Sequence, residues 1–204
     1  MCPYTLITGA TSGIGLACAR ALCSSKQLIL VGRSEIKLSE LRSEFGGDHL
    51  FFRCALADFE SVAANLTGFL QAHNAVVDKL IHSAGIDQTL PVKSLQATQV
   101  DGLMRVNFYS IVEILCVLLR RSVNHSALIK VLFVSSISAI RGFKAKGAYS
   151  ASKFALEGLS QILADETETA GKIRVYSVNP GGTRTAMRRE AYPLEDPQTL
   201  PIPA

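Results

Sequence analysis

A phenol and an ammonium stand four residues apart in Tyr149-Ser150-Ala151-Ser152-Lys153. On a helix, positions i and i+4 share a face, so both groups can address one point. A free phenol, with a pKa of about 10, is a poor acid or base at neutral pH. A positive charge beside it favours the phenolate and lowers that pKa. With Lys153 supplying the charge, Tyr149 could pass a proton to or from a carbonyl oxygen. Ser136, at the end of the apolar run 128–135, is placed to hydrogen-bond the same oxygen. A tyrosine and a lysine at helical spacing are also common on plain helix surfaces. The pair therefore needs a context.

That context begins near the N-terminus, with Thr8-Gly9-Ala10-Thr11-Ser12-Gly13-Ile14-Gly15 directly after the apolar run Tyr4–Thr8. A strand that turns sharply into a helix points the helix N-terminus, with its free N–H groups, at an anion. Glycines permit the turn and a close approach of backbone to a pyrophosphate. The spacing is Gly-x-x-x-Gly-x-Gly rather than the commoner Gly-x-Gly-x-x-Gly. A structural turn without a ligand is the alternative. The next run, Gln27–Val31, ends in Gly32-Arg33-Ser34. An acidic residue there would suit NAD, whereas an arginine accommodates the 2′-phosphate of NADP. Arg33 thus points to NADP, with NADPH preferred over NADH. It could equally be a solvated arginine ahead of a helix capped by Ser34.

The elements that must position these groups alternate along the chain. Apolar runs at Tyr4–Thr8, Gln27–Val31, Leu50–Arg53, Lys79–His82, Leu128–Ser135 and Ile173–Val178 lack strict alternation, as strands of a parallel sheet buried on both faces do. Helical patterns fill the gaps, at about 13–24, 34–45, 58–72, 94–121 and 149–170. The fourth is long for one helix and is expected to break near Gly102. The order predicts an α/β fold: a Rossmann-type doubly wound parallel sheet of about six strands with helices on both faces. Residues 1–185 would form the dinucleotide-binding catalytic domain. Residues 186–204, with Pro193, Pro197, Pro201 and Pro203, would be a loop or partly ordered tail.

Composition narrows the possibilities. A hydrophobic content of 48% with 19% charged residues is ordinary for a globular domain, and the net charge of +4 is scattered, which argues against a nucleic-acid groove. Arg188 and Arg189 read as a solvated patch. The five cysteines form no Cys-x-x-Cys pair, which fits a reducing compartment and a cytoplasmic location. His49, His73, His82 and His125 lack metal-ligand spacing, so no metal site is expected. No apolar run reads as long enough for a bilayer; the longest, near 111–119, contains Glu113.

Taken together, these motifs resemble the short-chain dehydrogenase/reductase family over about residues 4–185. Thr8-Gly9-x-x-x-Gly13-x-Gly15 is similar to its cofactor loop. His82-Ser83-Ala84-Gly85 is similar to its Asn-Asn-Ala-Gly. Asn107 sits in a Val-Asn context, Ser136 lies at the family's separation from Tyr149, and Tyr149-x-x-x-Lys153 matches its signature. Asn179-Pro180-Gly181, with Thr183 and Thr185, is similar to the segment that holds the nicotinamide carboxamide. The loop spacing differs from that of the extended branch, whose epimerases usually carry Gly-x-x-Gly-x-x-Gly.

The resemblance implies a catalytic tetrad. Tyr149 is its general acid/base, Lys153 binds the nicotinamide ribose and lowers the tyrosine pKa, Ser136 stabilises the substrate oxygen, and Asn107 holds a water in a proton relay. It implies cofactor contacts from Gly9, Thr11, Ser12, Gly13, Ile14, Gly15, Arg33, Ala84, Gly85, Asn107, Tyr149, Lys153, Pro180, Gly181, Thr183 and Thr185. The implied function is interconversion of a carbonyl and an alcohol. Reduction of a small ketone, an aldehyde or a 3-oxoacyl thioester is expected; Arg141, Lys144 and Lys146 either suit an anionic or carrier-bound substrate or form a solvated loop. Ala55 stands where the family often has an adenine-contacting aspartate, leaving Ser83 or a backbone group for that contact. Members usually run some tens of residues further, so the substrate-covering part is expected to be short or missing. That in turn suggests a homodimer through helices around 103–121 and 149–169, and a sixth strand left as an open edge. A cofactor-binding sensor or scaffold with an idle tetrad is the competing reading.

Overall fold

The computed structural model describes residues 2–122, 128–168 and 173–203. Six strands, β1 (Tyr4–Thr8), β2 (Gln27–Gly32), β3 (Leu50–Arg53), β4 (Val77–His82), β5 (Ile129–Val134) and β6 (Ile173–Val178), form one sheet. The order is β3-β2-β1-β4-β5-β6, and every neighbouring pair is parallel. Chain order reverses between β1 and β4, the switch point where α/β sheets open a crevice for ligands. The fold is the Rossmann-like α/β arrangement expected.

Successive strand residues point to opposite faces, and two apolar cores follow from this. Ile7, Leu28 and Leu30 face α1 (Gly13–Leu22) and α2 (Glu35–Phe45) through Ala19, Leu38 and Leu41. Leu6, Ile29 and Val31 face the other way, onto Val62, Leu66 and Leu70 of α3 (Phe59–Ala72). The same core takes Ile111, Ile114, Leu115 and Leu118 of α5 (Ser110–Ser122) and Leu156 of α6 (Gly147–Glu168). Ser34 caps α2, its hydroxyl accepting from the N–H of Lys37 at 3.4 Å.

Three expectations are corrected here. The helical stretch expected to break at Gly102 instead runs from α4 (Ala97–Met104) into α5 through a π turn at Arg105–Tyr109, with Gly102 inside the helix. A π turn holds one residue more than an α turn, and it redirects the side chains it carries. The stretch Ala97–Arg121 is also long and apolar enough, by length and composition, to cross a membrane. Ile111, Ile114, Leu115, Val117 and Leu118 of this stretch are buried in the sheet's larger core, which accounts for much of its apolar character. Finally, the proline-rich tail is not a plain loop. It forms α7 (Ala186–Ala191) and a 3₁₀ turn at Pro197–Thr199. The prolines fall after α7 or at the first turn position, where no N–H is needed. Of the sequence expectations, His125, residues 169–170 at the end of the sixth helix and Ala204 lie outside the described residues.

At the sheet's edge, β6 leaves Tyr176 and Val178 exposed among the described residues.

Candidate active site

A cleft of about 460 Å³ opens at the C-terminal ends of β1, β4 and β5. One wall is backbone. Gly9 has a φ of +66°, and a Cβ there would lie 2.9 Å from the backbone of Ala84. A Cβ on Gly15 would lie 2.4 Å from the carbonyl oxygen of Gly9, so the first turn of α1 can only sit there with glycine. Thr8 ties the two loops together. Its hydroxyl accepts from the N–H of Ala84 at 3.1 Å and bonds Nδ1 of His82 at 2.9 Å. His82 is fully buried; burial, reinforced by the Lys153 charge, pushes its pKa down to about 3, so it is neutral. Ser12 stands at the N-cap of α1 without a side-chain capping bond, and Ser12, Gly13 and Ile14 line the cleft. The helix thus presents unsatisfied N–H groups and its positive dipole end to that space.

Ser83, Ala84 and Gly85 continue this wall, and Pro180, Gly181, Thr183 and Thr185 face it. Thr185 packs against Gly13, where a Cβ would meet its methyl at 3.2 Å, and caps α7 through the N–H of Arg188 at 3.1 Å. Of the other expected cofactor contacts, Thr11 packs over Gly32, whose Cβ would meet its methyl at 2.5 Å. Arg33 follows β2, is exposed and stands apart from the residues that line the cleft.

Tyr149 and Lys153 both line the cleft from the first turns of α6. Ser136 stands beside Tyr149, where its hydroxyl lowers the phenol's pKa, and Ser136 Oγ accepts from the N–H of Ser138 at 3.1 Å. Lys153 is buried, with Nζ donating to the carbonyl of Val134 at 3.0 Å and lying 5.8 Å from the centre of the Tyr149 ring. Burial lowers its pKa to about 8, with Asp87 opposing. The phenol behaves otherwise than the spacing suggested. Burial raises its pKa, the Ser136 hydroxyl opposes, and Asp87 raises it further. Desolvation is the largest of these causes.

Asn107 is fully buried on the π turn. Its Oδ1 accepts from the N–H of Ile86 at 2.8 Å, and its Nδ2 donates to the carbonyl of Ile86 at 2.9 Å and to Ser152 Oγ at 2.9 Å. The amide clamps the loop after β4 to α6, one residue from Lys153. The structure brings Asn107, Ser136, Tyr149 and Lys153 together, but gives the asparagine side chain a fastening task rather than free donors.

Sequence reasoning missed the other wall. Lys146, expected as a binding cation or a solvated one, is buried, with Nζ on Asp87 Oδ2 at 2.5 Å and on Thr89 Oγ1 at 2.6 Å. Arg188, expected in a solvated patch, makes a two-point bond to Glu195 at 2.6 and 2.7 Å and stacks 3.8 Å over the ring of Tyr192. Asp87, Phe143, Lys146, Met187, Arg188 and Tyr192 all line the cleft. Arg141 stacks on Phe143 at 4.6 Å, and Lys144 is exposed. An aspartate one residue after a Gly-Ile end and a lysine three before the tyrosine carry no local signal of pairing.

Comparison with known proteins agrees with this architecture. The family model described as short chain dehydrogenase matches residues 3–196. The uncharacterized oxidoreductase YciK of Escherichia coli K12 is 37% identical over 209 residues, covering 98% of this chain and 81% of that protein. The benzil reductase ((S)-benzoin forming) IRC24 of Saccharomyces cerevisiae is 29% identical, covering 96% and 77%. A Shigella flexneri short chain dehydrogenase, crystallised with NADP, superposes with a TM-score of 0.88 at 34% identity, covering 99% of this chain and 86% of that one. With the glycine cradle, the Tyr149–Lys153 pair and the parallel sheet in one frame, the chain belongs to the short-chain dehydrogenase family.

Proposed function

We propose that this protein is an NADP(H)-dependent oxidoreductase that interconverts a carbonyl and an alcohol. The observation that carries the reading is the single cleft shared by two kinds of group. Two hydroxyls, of Tyr149 and Ser136, line the same cleft as a glycine-built, N–H-rich wall suited to an anion. Gly9, Ser12, Gly13, Ile14, Ala84 and Gly85 would hold the dinucleotide, with Gly15 closing the turn and Thr11 and Arg33 toward its adenosine end. Pro180, Gly181, Thr183 and Thr185 would hold the nicotinamide end. NADP is supported by the Shigella relative's complex and by Arg33, whose guanidinium is exposed at the tip of β2.

When bound, the reduced nicotinamide supplies a hydride. The chain's own residues manage the proton. Ser136 orients the substrate oxygen, and Tyr149 donates to it. Lys153, a cation below about pH 8, steadies the phenolate that remains. Asn107 keeps the Ile86 loop and α6 at fixed separation.

Both cations on the substrate side are neutralised within the protein, Lys146 by Asp87 and Arg188 by Glu195. That supports an uncharged ketone or aldehyde group with an apolar flank against Phe143, Met187 and Tyr192. A 3-oxoacyl thioester is the narrower alternative, with exposed Arg141 and Lys144 outside the cleft for its carrier. The reading as an idle sensor rested on a missing cover, yet Met187 of α7 and Tyr192 just after it already line the cleft. A homodimer through α5 and α6 and a cytoplasmic location belong to the same reading. They are supported by Phe154 and Ile162, 45% and 57% exposed on α6, and by five free cysteines.

The test is oxidation of NADPH with a panel of ketones and aldehydes, followed by absorbance. Tyr149→Phe should lower turnover by roughly 10²–10⁴-fold, the usual worth of a positioned proton donor. Tight NADPH binding without turnover on any substrate would refute the enzyme and favour the sensor.

A further inference from the structure

The structure leaves one buried ion pair at the site without a part in the proton transfer. We propose that Asp87 and Lys146 form a charge-balanced positioning pair for the Tyr149 acid, fixing the start of α6 and holding the charge beside the phenol constant. The inference rests on Tyr149 as the proton donor.

The pair joins the two loops that frame the substrate side. Their side chains are 12% and 4% exposed, and their atoms approach to 2.5 Å across fifty-nine positions of sequence. Beside them the N–H of Leu90 donates to the carbonyl of Ala145 at 2.8 Å, and Leu90 and Lys146 form a parallel bridge. Ala145 has a φ of +61°, a left-handed backbone that alanine seldom adopts. Such a conformation persists only where the surroundings over-determine it. The carbonyl of Lys146 then accepts from the N–H of Ser150 at 2.7 Å, in the first turn of the helix that carries Tyr149. Anchoring Lys146 therefore anchors the phenol three residues on.

Simple fastening does not account for the whole arrangement. Asp87 Oδ1 is buried and has no hydrogen-bond partner among the described residues. A carboxylate held only for structure has every reason to fill both oxygens. Its field reaches the site: Asp87 raises the pKa of both Tyr149 and Lys153. The other groups around the phenol are few. Lys153 lies on its own helix, and Ser136 follows β5. Tyr192 comes from the segment after α7, where Arg188 is already bound to Glu195. His82, beneath Lys153, is neutral. Lys146 is thus the counter-charge that offsets Asp87.

The sign of each change follows. Carbonyl reduction needs the protonated phenol beside a charged Lys153, so its rate falls as pH rises through the lower of their two pKa values, and the Asp87 charge raises both. Asp87→Asn leaves Lys146 as an unbalanced cation, and the alkaline limb should move to lower pH by at least about half a unit. Lys146→Met leaves Asp87 unbalanced, and the limb should move up by a similar amount. The double variant should return close to wild type. The measurement is kcat against pH at saturating NADPH for all four proteins. A purely structural pair would lower activity and Tm in both single variants with the limb unmoved or moved the same way, and that result overturns the proposal. If Lys146→Met does not fold, Lys146→Gln takes its place. Asp87→Asn must still move the limb down, and an unmoved limb overturns the proposal on its own. Tyr149→Phe separates the two claims. Retained turnover there removes the proton-donor reading and this inference with it. Lost turnover with limbs that do not diverge removes this inference alone.

Discussion

On the β1–α1 side of the cleft, backbone meets backbone; on the side of Asp87, Lys146 and Tyr192, side chain meets side chain. The first wall is set by what is missing, the Cβ atoms of Gly9 and Gly15, and by Thr8 bonded to Ala84. The second is set by charges and rings drawn from three loops: Asp87 with Lys146, Lys146 5.0 Å from the Tyr192 ring, and Arg188 on that ring with Glu195 behind it. A backbone wall suits a ligand whose shape never changes, because it has little freedom to adjust. A side-chain wall can be rewritten by point substitution without disturbing the sheet. On the proposed function, the contrast would put cofactor recognition on one side and substrate choice on the other.

The largest effect should come from the backbone wall. Gly9→Ala places a methyl 2.9 Å from the Ala84 backbone at a positive φ, and overpacking of this kind costs about 1–3 kcal/mol. NADPH affinity measured by calorimetry should fall on the order of 100-fold, and Tm should drop with it. Affinity near wild type would break the division between the walls. Next, Tyr192→Ala removes the ring shared by Lys146 and Arg188. KM for the carbonyl substrate should rise on the order of tenfold, the scale of about 1.4 kcal/mol, with the NADPH Kd within about twofold of wild type. Equal losses in both constants would show that the walls are not independent. Arg33→Ala probes the outer end of the cofactor wall: kcat/KM with NADPH should fall roughly tenfold, with NADH little affected. A matching loss with NADH would remove the arginine from cofactor choice.

The smallest effect at neutral pH concerns His82, where the walls share a footing. Its pKa is about 3 in the folded protein and about 6.5 in an unfolded chain. Between those values the unfolded state binds more protons, so stability falls as pH drops from about 6.5 towards 3. The slope from this residue is at most about 1.4 kcal/mol per pH unit. His82→Asn should flatten the decline of Tm with acid; an unchanged slope would assign acid sensitivity to other groups.

The same contrast explains how much could be read from the sequence. Strands β1, β2 and β5 were legible because burial on both faces calls for mostly apolar runs, and the edge strand β6 because its apolar residues still recur. The glycine loop was legible because a missing Cβ is written in one letter. Tyr149 and Lys153 were legible because helical spacing is local. Lys146 was not: an exposed lysine and one buried on Asp87 look alike until the fold brings position 87 to position 146. The π turn under Asn107 was hidden because it changes hydrogen-bond register without changing composition. The prolines of the tail correctly marked where helix stops, but Thr185, which starts α7 as its N-cap, read only as a ligand contact.

One contact in that tail bears on how substrate binds. Arg184 receives the returning chain: its N–H donates to the carbonyl of Pro201 at 2.9 Å, and its guanidinium donates to the carbonyls of Gln198 and Leu200 at 3.2 and 3.1 Å. The segment that carries α7 and Tyr192 is therefore a closed loop. Its conformational entropy is lost once, when the protein folds, rather than at each encounter with substrate. Substrate affinity should then follow how well a molecule fills and dries the cleft, and association should not be slowed by any ordering of this segment.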